Sequence, residues 1–91
     1  MNPSERLPEI ERRLEASFSP ESLMVEDESH LHAGHAGARD GRGHFRVSIV
    51  AEAFEGLNPI ARHRLIYSSM GELMKTDIHA LSIEALASSE L

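Results

Sequence analysis

The sequence predicts an α+β fold of order α-β-β-α-β, with one layer of helices on a small three-stranded mixed sheet. Three observations carry that expectation. Leu7, Ile10, Leu14 and Phe18 recur at three- and four-residue spacing, the mark of an amphipathic helix. Phe45, Val47 and Ile49 alternate with Arg46, Ser48 and Val50, the two-residue period of a strand. Asn58-Pro59 joins a capping residue to a proline at a first helical position, and a long apolar arc follows it.

Residues 3–18 are the first helix, with Asn2 or Ser4 as cap and Glu5 and Glu9 near its positive end. Pro8 is tolerable only near a first turn, which would let the regular helix begin there, and Ser19-Pro20 ends it. Ser22 to Glu28 alternates weakly, Leu23 and Val25 against Met24 and Glu26, as a half-buried strand. Residues 29–43 form a long loop, expected to be mobile, in which Gly34, Gly37, Gly41 and Gly43 oppose regular structure. The strand from Phe45 pairs antiparallel with the first across it, and a connection of that length is more often functional than idle. Ala51 to Leu57 is a tight turn or single helical turn, anchored by Phe54 and Leu57 and broken by Gly56.

The helix after Asn58 is expected to run to Lys75. At about 100° per residue, Ile60, His63, Ile66, Tyr67, Met70, Leu73 and Met74 fill an arc of roughly 140°. Leu65 lies outside it, an exposed apolar residue fit for an interface. Thr76-Asp77 turns the chain into a last strand, residues 78–85, and residues 86–91 are expected to fray. There is no internal repeat or linker, so residues 1–91 are taken as a single domain.

A chain of 91 residues can bury about two-thirds of its unfolded surface. Its net charge of −6 gives no general affinity for polyanions, so nucleic acid would need a local basic patch. It has no cysteine, which excludes disulfides and thiolate chemistry and leaves imidazole or carboxylate as metal ligands. The N-terminus lacks the apolar core of a signal peptide, and no apolar run approaches about 18 residues. A cytosolic protein without membrane contact is expected.

Chemistry concentrates in the histidines. His30, His32, His35 and His44, four of the six, lie within residues 26–45. An extended segment points His30 and His32 the same way, and Gly34 lets His35 curl back, so two or three imidazoles can meet one Zn or Cu ion. The bland reading is a solvated polar loop. His44 opens a strand, and His30 is the weakest of the set. His63, inside the apolar arc, reads as a structural core histidine. His79 shares its alternation with Leu81 and Ile83, which puts it on the core side at a strand entrance. It is either a satisfied edge histidine or a ligand on a rigid strand, with Nε2 outward and Nδ1 held by an acceptor. No serine has a nucleophile-elbow context, and the glycine run lacks the Lys-Ser/Thr of a phosphate loop. No turnover is expected.

Five stretches, Val25 to His35, His44 to Val50, Ala53 to Leu57, Arg62 to Tyr67 and Ile78 to Ile83, together resemble BolA-like proteins. The likeness runs from about Leu7 to Ile83. It implies a class II KH-like fold and a non-catalytic role as partner of a monothiol glutaredoxin. Such a pair shares a bridging 2Fe-2S cluster with glutathione, in iron-sulfur trafficking or iron-responsive regulation. It further implies that His79 is a metal ligand, with the second ligand in the loop, at His32 or alternatively His35. No cofactor is then expected on the isolated chain, a monomer that pairs with its partner as a heterodimer. An imidazole in place of a thiolate can protonate, so cluster retention should weaken as pH falls.

The same resemblance admits a DNA-binding transcription regulator. KH-like folds bind single strands through a GXXG loop. Here Gly56-Leu57-Asn58-Pro59 lacks the second glycine, and the basic candidates are Arg62, Arg64 and Lys75.

Overall fold

Helix α1 (Pro3–Phe18) leads into strand β1 (Ser22–Asp27) and a 3₁₀ turn at Ser29–His32 in the computed structural model. Strand β2 (Gly43–Val50), a 3₁₀ turn at Glu52–Phe54, helices α2 (Pro59–Met70) and α3 (Leu73–Thr76), and strand β3 (Ile78–Leu86) follow. A last 3₁₀ turn covers Ser88–Glu90. The structure describes residues 1–32 and 41–91, with His32 described in its backbone only. The expectation for the loop at 29–43 therefore falls largely outside the described residues.

The sheet is three-stranded and mixed, as the sequence predicts, and its strand order is β1-β2-β3. Strand β2 is antiparallel to β1 and parallel to β3. A parallel pair needs a crossover, and α2 with α3 supplies it. The register builds rows of core-facing side chains: Leu23, Ile49 and Ala85; Val25, Val47 and Ile83; then Phe45 and Leu81. Against that face pack Ile10 and Leu14 of α1 and Ile66 and Met70 of α2, all fully buried. Phe54 completes the core, its ring centroid 5.1 Å from that of Phe18.

Local chemistry sets the helix ends. Asn2 is the α1 cap residue, and its N–H donates to the Glu5 carboxylate at 3.0 Å. Pro8 sits inside the helix rather than at its start. The Asn58 side chain accepts from the Ala61 N–H at 2.8 Å, as expected of a cap before proline.

Three further expectations need correction. The second helix does not run unbroken to Lys75. Gly71, at φ +55°, separates α2 from α3, and Arg13 reaches across from α1 to donate to the Met70 carbonyl at 2.5 Å. The buried stripe of α2 is Arg62, Ile66 and Met70, so the arc is rotated from the predicted one. Ile60 (64% exposed) and Tyr67 (39%) lie largely outside, and Leu65 (41%) is exposed as predicted. Finally, the tail does not fray. Strand β3 continues to Leu86, Ala87 is 1% exposed, and Glu90 pairs with Arg62 at 2.6 Å. Among the described residues no helix is long and apolar enough to cross a membrane.

The start of β3 is pinned by a polar anchor. Asp77, 6% exposed, accepts from Thr76 Oγ1 at 2.6 Å and from Arg6 Nε at 2.9 Å, while its carbonyl accepts from the Gly43 N–H at 2.8 Å. The Thr76 hydroxyl and the Arg6 guanidinium hold its carboxyl below the ordinary value. A depressed carboxyl stabilises the fold above its unfolded value, about 3.9, and that contribution is lost as pH falls through the folded value. Asp77→Asn should lower unfolding stability by about 1–3 kcal/mol at neutral pH. Urea titrations at pH 7 and in acid should show this deficit shrinking below about pH 4. A deficit independent of pH would contradict the anchor.

Candidate functional site

The site begins as an irregularity in β3. Gly43 pairs with Ile78, but the next residue, His44, pairs with Ala80, so His79 is an extra residue in β3 between the two pairings. This bulge resets the alternation. Ile78 and Leu81 both point into the core, three positions apart, and His79 and Ala80 between them are both exposed. The predicted parity of His79 with Leu81 and Ile83 is therefore wrong at this position. A bulge re-aims side chains in this way and is over-represented beside functional sites.

Gly43 makes the arrangement possible. It has the core-side parity of Phe45, and a Cβ there would lie 2.6 Å from Phe45 Cε2 and 2.9 Å from Ser29 Oγ. The Phe45 ring thus folds over the glycine backbone at the point where the register changes.

The second imidazole of the site is His44. It follows the outward parity of Arg46, yet it is 9% exposed, because the strand end and the Ser29–His32 turn close around it. Its N–H donates to Ser29 Oγ at 3.1 Å, and its carbonyl accepts from the Glu28 N–H at 2.8 Å. Its ring centroid lies 5.1 Å from that of His79, with the planes inclined by 46°. Sequence reasoning set His44 aside as a strand opener. Its parity opposite Phe45, combined with a β2–β3 pairing, was the signal that could have found it.

Arg42 supplies the third component. Its Nη2 lies 3.0 Å from His79 Nδ1, and its Nη1 lies 3.5 Å from the Met74 carbonyl. Guanidinium has donors and no acceptor. Nδ1 of His79 is therefore the acceptor, and the neutral ring carries its proton on Nε2. The expected partner of Nδ1 was an acceptor; the structure places a donor there.

The remaining predicted residues fall as follows. The backbone of His32 ends the 3₁₀ turn, three residues from Ser29 and so at the same end of the sheet as His44 and His79. The His32 side chain and all of His35 lie outside the described residues. His30 is exposed on that turn, and His63 is half-buried on α2 rather than in the core. Arg62 is 8% exposed and donates to the Leu57 and Ala85 carbonyls and to Glu90. Its guanidinium is thus engaged within the fold. Arg64 and Lys75 are exposed on separate helices, and Lys75 stands 3.8 Å from Glu72. Among the described residues, no group of three or more His, Asp or Glu side chains gathers to hold a metal ion.

The structure is thus a small α+β domain with a solvent-facing histidine at a strand bulge and a second imidazole beside it. The family model for BolA-like proteins matches residues 14–90, and the chain belongs to that family. It is 42% identical over 88 residues to chloroplastic protein BOLA1 of Arabidopsis thaliana, covering 93% of this chain and 55% of that protein. The chain thus spans about half the length of that relative. It is 40% identical over 81 residues to the DNA-binding transcriptional regulator BolA of Vibrio cholerae, covering 89% of this chain and 74% of that one. Among solved structures, the BolA domain of SufE1 from Arabidopsis thaliana superposes with a TM-score of 0.85 at 41% identity, covering 94% of this chain and 95% of that one.

Gly43→Ala tests the local geometry. Forcing a methyl between Phe45 and Ser29 should destabilise the protein by about 1–3 kcal/mol and move the His44 and His79 ring signals in NMR. Unchanged stability and unchanged ring signals would contradict the close approach.

Proposed function

We propose that the chain is a non-catalytic partner of a monothiol glutaredoxin and contributes histidine ligands to a 2Fe-2S cluster shared with that protein and glutathione. His79 carries the reading. A bulge turns an imidazole out of the core onto a strand whose backbone is fixed on one side by β2 and at its start by Asp77. A ligand on a rigid strand keeps its aim better than one on a loop. With no cysteine, the chain can give no thiolate to iron. The cluster would supply thiolate-sulfide iron chemistry with a reduction potential raised by nitrogen ligation.

In this reading His79 is the fixed ligand, and His32 or His35 comes from the loop that leaves the sheet at the same end. His44 packs beside the His79 ring. The chain supplies part of the coordination sphere, and thiolates come from the partner and glutathione. Such a shared site suits transfer or sensing of a cluster better than permanent electron transport. The Vibrio relative's name invites a nucleic-acid reading, but burial of Arg62 leaves Arg64 and Lys75 against a net charge of −6. Phosphate binding draws on several cations, so that reading is the weaker one.

Reconstitution with a monothiol glutaredoxin, glutathione, iron and sulfide, followed by visible circular dichroism, checks the assignment. His79→Ala should change or abolish the cluster spectrum, and one of His32→Ala and His35→Ala should do the same. A His79→Ala spectrum identical to wild type would remove His79 from the cluster.

A further inference from the structure

We propose that Arg42 is a latch on His79: its guanidinium occupies the Nδ1 lone pair in the free protein and must leave before His79 can ligate a metal. This inference rests on the reading of His79 as a ligand and assigns a role to a residue outside the ligand set. The geometry is direct. Arg42 Nη2 stands 3.0 Å from Nδ1, and the other arm of the guanidinium reaches toward the Met74 carbonyl at 3.5 Å. Arg42 is half-buried between Gly41, at φ +82°, and Gly43, the residue that pairs with Ile78. The latch is therefore built into the end of β2 that faces the bulge in β3.

The chemistry leaves a metal two routes, and both break this contact. A neutral imidazole has one N–H and one in-plane lone pair. Binding at Nδ1 displaces Arg42 from that lone pair. Binding at Nε2 requires the proton to move to Nδ1, where its N–H would face the N–H of a guanidinium that cannot accept it. Arginine stays protonated at any ordinary pH, so the latch does not open by losing its charge.

The charge gives the latch a selectivity. A hydrated divalent cation meets a positive group at hydrogen-bond distance from the nitrogen it needs. A thiolate-ligated cluster on a partner brings anionic ligands that draw the guanidinium away. Arg42 thus disfavours adventitious cations at His79 without occupying a position in the ligand sphere.

Zinc is the probe, titrated into the full chain at a pH where the imidazoles are neutral. Binding is read at the His79 ring nitrogens by long-range ¹H–¹⁵N NMR, which separates this ring from the other histidines. Arg42→Ala should tighten zinc binding at His79 on the order of tenfold, the size of effect typical of groups hydrogen-bonded to a ligand. Arg42→Gln, which keeps the length but not the charge, should give a gain of the same sign, and serves if the alanine variant folds poorly. Equal zinc affinity at His79 in wild type and both variants would overturn the latch. Cluster reconstitution of His79→Ala is run beside it. An unchanged cluster spectrum there overturns the ligand reading, whereas a changed spectrum with no zinc gain overturns the latch alone.

Discussion

One register step between β2 and β3 organises this protein. Gly43 faces Ile78 and His44 faces Ala80, so β3 accommodates one residue more than its neighbour. Because side chains alternate with a period of two, a single extra residue moves everything before it to the other face. Ile78 stays in the core because the step lies after it, and His79 is the residue left to turn outward. Without the step, His79 would share the face of Leu81 and Ile83 and compete with the core for space.

Both sides of the step are held by specific contacts. On the β2 side, Gly43 accepts the Phe45 ring where any Cβ would collide, and Ser29 ties the 3₁₀ turn before β2 to the His44 N–H. On the β3 side, Asp77 links the strand start to Arg6 of α1 and, through its carbonyl, to Gly43. Arg62 plays a comparable part at the far end of β3, where it gathers carbonyls and the Glu90 carboxylate. The strand is therefore fixed at both ends while His79 faces solvent. Arg42 rests on Nδ1 of that imidazole, 3.0 Å away.

Much of the fold was legible in the sequence because it rests on periodicity and caps. The α1 stripe, the Phe45-Val47-Ile49 alternation and the Asn58-Pro59 start depend on neighbours a few residues away, and all lie where expected. What was not legible depends on long-range pairing. The parity of His79 follows from how Gly43 and His44 meet β3, which no local pattern shows. The inward turn of Arg62 follows from carbonyls and a carboxylate supplied 23 and 28 residues later. The packed tail belongs to the same bond network, so a polar ending looked free when read alone. The histidines of the candidate site stood out in the sequence of a chain without cysteine. Its geometry, with His44 beside His79 and a donor on Nδ1, was not.

The most direct measurement is pulsed EPR on the reduced cluster complex, prepared with ¹⁵N-histidine in this chain only. The account predicts a ¹⁵N nucleus strongly coupled to the cluster that disappears in His79→Ala. A spectrum without ¹⁵N coupling from this chain would contradict it.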